Sequence, residues 1–272
     1  MALVATAAAP AGLAEHEPLV HQSAPLPAHG IRLTARSAIL VDGSTGAVLW
    51  ARWAHRRRPI ASTTKIMTAL VAMERLRAHA LVTVDRSVRR VKPITEGLRP
   101  GERVEAWKLF YGLLLYSGND DALALAIGAA GTRSRFVTMM NQKARGLGLR
   151  DTHFRGPSGL IDKDNYSSAW DLAALTRYAL WNPRFRAVVR TRVKHVPWSR
   201  PIGEKIYVNK NHLLGSYPGA DGVKTGWTTI ARHCLVASAR RDGRRLIAVV
   251  LGADDSYGDV KRLLDFGFSN GG

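Results

Sequence analysis

Apolar positions along the chain follow two rhythms, and the places where one gives way to the other divide it. Residues 37–42 and 47–52 are apolar runs joined by Gly43-Ser44-Thr45-Gly46, which predicts a β-hairpin. From Ile60 the spacing becomes helical: Ile66, Leu70 and Met73, with Met67 and Val71, share one face of a core helix ending near Leu76. Residues 81–84 predict a short strand. The turn Pro100-Gly101, with Glu102 and Glu105 suited to a helix N-terminus, leads into a helix whose apolar face holds Leu109, Phe110, Leu113 and Leu114. Ser117-Gly118-Asn119 interrupts it, and helices follow over 120–130, 133–147 and 169–180, the last capped by Ser167 or Ser168. After Pro183 strands return over 190–196, 206–209, 223–227, 234–239 and 246–251, with Arg241-Asp242-Gly243 as a turn and a closing helix over 259–266.

Strands at both ends with helices between them predict an α+β fold. One antiparallel sheet of about five strands is flanked by helices, and a helical lobe, roughly residues 86–190, is inserted into it. The ordered unit is expected to be a single domain over 35–272. Residues 1–14 are small and apolar, and Gly12-Leu13-Ala14 resembles a leader-peptidase site, although the first basic residue is Arg32. Residues 15–34 read as a Pro- and His-rich linker. This leader-like segment points to export, to the periplasm or another extracytoplasmic space. No apolar run reaches the 18 or more residues that a membrane span needs.

Charge narrows the partners. Forty Lys and Arg against 21 Asp and Glu give a net charge of +19, so the surface will attract polyanions. The basic residues are scattered in small groups without an aromatic-rich or zinc-finger motif, so nucleic acid is not expected. An anionic wall polymer or lipid surface fits an exported protein better. The single cysteine, Cys234, lies in an apolar run and reads as a buried, inert thiol. His16-Glu17 and His21 lack zinc-helix spacing and Pro18 breaks the segment; no metal and no cofactor are expected.

The candidate chemistry begins at Ser62 and Lys65. Three residues apart on a helix, they lie on one face, so the amine can reach the hydroxyl. A serine is a good nucleophile only when a base removes its proton, and a lysine is such a base only when burial or a neighbouring cation lowers its pKa. By itself the tetrad is equally an N-cap and a solvated lysine. It gains weight from Ser117-Gly118-Asn119 and Lys224-Thr225-Gly226 further along.

Ser-x-x-Lys, Ser-x-Asn and Lys-Thr-Gly in that order resemble the signature of the serine D,D-peptidases and their β-lactamase relatives. The stretches 59–70, 98–125, 156–160 (GPSGL) and 219–228 (GADGVKTGWT) are similar to the D-alanyl-D-alanine carboxypeptidase branch, the low-molecular-mass penicillin-binding proteins. The resemblance runs from about Ser37 to Phe268. It implies a serine D,D-carboxypeptidase that removes the terminal D-Ala from peptidoglycan stem peptides through an acyl-enzyme, with β-lactams as covalent inhibitors. It casts Ser62 as nucleophile, Lys65 as general base and Ser117 as proton relay. Asn119 would bind the substrate backbone, while Lys224 and Thr225 would bind its carboxylate. Gly226 would let the strand approach the ligand, and the N–H groups of Ser62 and Trp227 would hold the oxyanion. The C-terminal β-domain and amphipathic anchor of many members are not expected.

Two departures stand out. Asp254 falls where many members carry a carboxylate-clamping arginine and is expected to repel that group, while Arg232 stands where glycine is usual and could substitute. Residues 151–200 contain no glutamate, which argues against the deacylating machinery of a class A β-lactamase. A D,D-endopeptidase acting on cross-links uses the same groups. A non-catalytic wall-binding or β-lactam-sensing protein is the reading of another class.

Overall fold

The computed structural model describes residues 31–160 and 164–270. The leader-like segment, its cleavage-like site and most of the linker lie outside the described residues. β1 (Ser37–Asp42) and β2 (Val48–Arg52) form the expected hairpin, whose turn is held by Asp42 Oδ1 accepting the N–H groups of Ser44 and Thr45. After β3 (Arg58–Pro59), one tight 3-10 turn, Ala61–Thr64, feeds α1 (Lys65–Arg75). The helix is apolar nearly all round, and Lys65 to Met73 are all buried, the pattern of a central rather than a surface helix.

β4 (Leu81–Thr83) pairs with β5 (Arg103–Glu105), and α2 (Ala106–Tyr111) runs into a π-helical turn, Gly112–Tyr116. α3 (Asn119–Ala130) and α4 (Arg133–Gly146) follow, then β6 (Tyr166–Ser167), which pairs with β3, and α5 (Ala169–Ala179), capped by Ser168. α6 (Pro183–Val189) precedes a hairpin of β7 (Val193–Pro197) and β8 (Glu204–Val208). β9 (Ala220–Thr228), β10 (Arg232–Arg241), β11 (Arg244–Ala253) and α7 (Ser256–Ser269) close the chain.

The main sheet has five antiparallel strands in the order β2-β1-β11-β10-β9. Both faces are covered, which explains the continuous apolar runs of its inner strands. Ile39, Val41, Val236, Val249 and Leu251 face the core around α1 and α5. Leu40, Leu235, Ala237 and Val250 face Val260, Leu263 and Leu264 of α7. β9, the strand of Lys224-Thr225-Gly226, is one edge of the sheet, and it lies against the 3-10 turn that carries Ser62.

The α+β expectation holds, as do the strands expected near 190–196 and 206–209; two local expectations do not. Residues 183–189 are helical because Asn182 caps the N–H groups of Arg184 and Phe185 and Pro183 occupies the first turn, where its missing donor costs nothing. The strands near 190–196 and 206–209 form a separate hairpin, not part of the main sheet. The helix expected from Glu102 begins at Ala106, since residues 103–105 are taken by β5; Glu102 instead accepts a 2.7 Å bond from Trp198 Nε1.

Candidate active site

Lys65 is the first residue of α1 and is completely buried, so its side chain has only protein to bond. Nζ lies 2.7 Å from Asn119 Oδ1, 2.9 Å from the Ser158 carbonyl oxygen and 2.8 Å from Ser62 Oγ. Burial, then repulsion from Lys224 and Lys210, holds the Lys65 amine well below the ordinary lysine range. A neutral amine has two N–H donors and one lone pair. Two acceptors, Asn119 and Ser158, take the donors, and the lone pair is left facing the Ser62 hydroxyl. That is the arrangement of a base waiting for a proton.

Ser62 sits in the 3-10 turn directly after Ala61, whose φ of 46° is left-handed and strained for a residue with a side chain, at a cost of roughly 1–3 kcal/mol. Two neighbours hold that turn in place. From one side, β9 comes so close at Gly226 that a side-chain carbon there would stand 3.0 Å from the Ser62 nitrogen and 3.1 Å from Ala61 Cβ. Gly226 therefore lets the strand approach the backbone of Ser62, beyond the expected approach to a ligand. From the other side, Gly159 (φ 72°) lies against the Ala61 carbonyl, where a side-chain carbon would collide. Gly159→Ala is expected to lower the melting temperature by roughly 5 °C or more and to slow acylation of Ser62. Thermal denaturation and acylation rates check this; a parental melting temperature would contradict it.

Lys224 faces the same cluster. It is 1% exposed, donates to the Thr225 carbonyl oxygen at 2.9 Å, and is pushed down to about 7 by burial and by Lys210. Ser117 is buried in the left-handed conformation (φ 73°) that ends the π-helical turn, two residues before Asn119. The Asn119 side chain also donates to the Pro93 carbonyl at 2.6 Å. One amide hydrogen and one lone pair remain for a ligand. Trp227 is 59% exposed, at the mouth of the cluster. Beside it opens a groove of about 680 Å³ whose lining includes Pro59, Ile60, Ala61, Gly159, Tyr166 and Thr228. Ser62, Lys65, Asn119, Lys224 and Gly226 thus converge from three separate segments. Cys234 is buried and pushed up to about 11, an inert thiol. Among the described residues no group of three or more His, Cys, Asp or Glu is placed to hold a metal ion.

Comparison with known proteins matches residues 21–255 to the peptidase S11 family, D-alanyl-D-alanine carboxypeptidase. The chain belongs to this family. A D-alanyl-D-alanine carboxypeptidase of Bacillus subtilis is 37% identical over 245 residues, which cover 86% of this chain and 62% of the relative. One from Mycobacterium tuberculosis is 36% identical, over 86% of this chain and 82% of the relative. The chain therefore spans less than two thirds of the Bacillus relative's length and most of the mycobacterial one's. The crystal structure of a Streptomyces DD-transpeptidase superposes with a TM-score of 0.83 at 33% identity, covering 88% of this chain and 98% of that one.

Within this family frame, two features escaped the sequence. Ser158 reads as a turn residue, yet its carbonyl accepts from Lys65, and the adjacent Pro157 carbonyl accepts from Thr68 Oγ1 at 2.6 Å. Both act through backbone oxygens, which leave no side-chain signature. The second is the Asp254 carboxylate, which is not a bare charge: it is ion-paired with the Arg232 guanidinium, in the partly exposed position where such pairs contribute little to stability.

Proposed function

We propose that the protein is a serine-type D,D-carboxypeptidase that removes the terminal D-alanine from peptidoglycan stem peptides, its residues 35–272 acting as one catalytic domain. The observation that carries this reading is the buried Lys65 amine, whose nitrogen lies 2.8 Å from Ser62 Oγ and has two further partners, Asn119 Oδ1 and the Ser158 carbonyl oxygen. Lys65 takes the hydroxyl proton as Ser62 Oγ adds to the carbonyl carbon of the penultimate D-alanine. The N–H groups of Ser62 and Trp227 hold the oxyanion that forms. Ser117 relays the proton to the departing amine nitrogen. Water then attacks the acyl-serine ester and frees Ser62. Lys224 and Thr225 receive the terminal carboxylate, and a carboxylate arriving beside Lys224 restores the proton that burial disfavours. Asn119 offers its remaining donor and acceptor to the peptide backbone.

Family membership supports β-lactams as covalent inhibitors, since their strained amide meets the same nucleophile and forms a slow ester. The +19 charge supports attraction to an anionic wall polymer or lipid surface outside the cytoplasm. No helix among the described residues is long and apolar enough to cross a membrane.

Purified protein given stem pentapeptide is expected to release free D-alanine and leave cross-linked dimers uncut. Cleavage of dimers without D-alanine release would make it an endopeptidase, and neither product would overturn the reading. In the same assay Asp254→Asn is expected to lower KM severalfold, because it frees the Arg232 guanidinium for the substrate carboxylate. An unchanged KM would mean that the pair does not face the substrate.

A further inference from the structure

Behind the catalytic cluster lies a set of acids that the mechanism above does not use. Asp121, in the first turn of α3, is fully buried, and neither of its carboxylate oxygens has a hydrogen-bond donor. Its neighbour Asp120 is amply served, accepting the N–H groups of Glu96, Gly97 and Leu98 at 3.0–3.1 Å. Glu96 Oε2 accepts from the Tyr207 hydroxyl and pairs with Lys205 Nζ at 3.5 Å, but Oε1 is buried without a donor. The two unsatisfied groups are neighbours: Asp120, the residue before Asp121, accepts the Glu96 N–H, and the Glu96 side chain is close enough to act on the Asp121 carboxyl. Two buried carboxylates so placed would repel with only Lys205 to offset them, whereas one proton between them gives the pair a hydrogen bond.

The position of this contact gives it a consequence. The Asp121 carboxyl is wedged between Gly112 and Gly118: a side-chain carbon on Gly112 would stand 2.5 Å from Asp121 Oδ1, and one on Gly118 would collide with Oδ2. Gly118 N–H bonds the Gly112 carbonyl at 3.0 Å, so Asp121 fills the inside of the turn that presents Ser117 and Asn119. Glu96 belongs to the 93–98 segment that backs the same turn. Asn119 N–H donates to the Ile94 carbonyl at 2.9 Å, and Asn119 Nδ2 donates to Pro93.

We infer that Asp121 is a positioning residue for the reaction: protonated, it donates a hydrogen bond to Glu96, and this bond clamps the Ser117-Gly118-Asn119 turn onto the 93–98 segment. Burial and the charges of Glu96 and Asp120 raise the Asp121 carboxyl well above the usual range, against a smaller opposing pull from Lys205. A neutral Asp121 also serves the base. An ionised carboxylate there would favour the Lys65 ammonium, so the proton on Asp121 helps keep the Lys65 amine neutral.

The role of Asp121 rests on the assignment of Ser117 and Asn119 to the active site, and the test separates the two. Infrared difference spectra of the parent against Asp121→Asn and Glu96→Gln read the proton directly, whatever the enzyme does. A protonated-carboxyl C=O band at neutral pH, present in the parent and lost in both variants, is expected. Acylation by a fluorescent penicillin reads the positioning. Asp121→Asn keeps a neutral donor at position 121 and is expected to acylate within about threefold of the parent, whereas Glu96→Gln leaves the negative charge on Asp121, where it favours the Lys65 ammonium, and is expected to acylate more slowly than Asp121→Asn. Asp121→Ala removes the donor and is expected to fall about tenfold or more, as is Glu96→Ala, which removes the acceptor. Absence of the band overturns the inference, as does an Asp121→Asn variant slowed as much as Asp121→Ala, or an Asp121→Ala variant at the parental rate. Should the alanine variants fail to fold, the band and the rate of Asp121→Asn still decide. A parent that is not acylated would refute the proposed function and with it the role of Asp121, while the band would still report the bond.

Discussion

Replacing Ser62 by alanine is expected to abolish covalent labelling by penicillin and to lower D-alanine release by about ten-thousandfold or more, while the protein stays folded. The two halves of this expectation have separate causes. Among the described residues no other hydroxyl is bonded to the Lys65 amine, so none is placed to take over as nucleophile. Stability hardly changes, because the Ser62 side chain is only half-buried and its one side-chain partner, Lys65, keeps two further acceptors. Labelling of the alanine variant at the parental level, followed by gel fluorescence, would remove Ser62 from the mechanism.

Lys65→Met should slow acylation by about a thousandfold, within the range that a general base supplies. Methionine fills a similar volume without carrying a charge into the core, so packing around α1 is retained. It cannot donate, however, and Asn119 Oδ1 and the Ser158 carbonyl lose their partner, at about 1–3 kcal/mol for each acceptor left buried and unsatisfied. The expected signature is therefore a large kinetic loss with a moderate fall in melting temperature. A methionine variant that melts lower but acylates at the parental rate would make Lys65 a structural residue. Arginine is no substitute, since a guanidinium stays charged when buried and has no lone pair to accept the serine proton.

Much of this was legible in the sequence. β1, β10 and β11 announce themselves as continuous apolar runs because α7 covers one face of the sheet and the core around α1 the other. α1 is legible because its periodicity is strong, and the three short motifs because their order is specific. The elements that were missed have weaker local signals. β5 has one apolar residue, Val104, among charges. α6 starts at a proline, which reads as a break unless Asn182 is recognised as its cap. In the site, the contribution of Ser158 comes from its carbonyl, and Asp121 resembles an ordinary acid at a helix N-terminus. Arg232 and Asp254 were each legible as departures from the family, but not their pairing. Each of these depends on what the tertiary fold brings alongside, and no periodicity encodes that.

The central claim is that a neutral amine stands over the Ser62 hydroxyl before substrate arrives. The pH dependence of the acylation rate at saturating β-lactam tests it most directly. With Lys65 held well below the ordinary lysine value of 10.5, the rate is expected to reach its plateau well below that pH and to fall on the acid side, as Lys65 gains a proton. A rate that keeps climbing with pH toward that ordinary lysine value would show a protonated Lys65 and contradict the account.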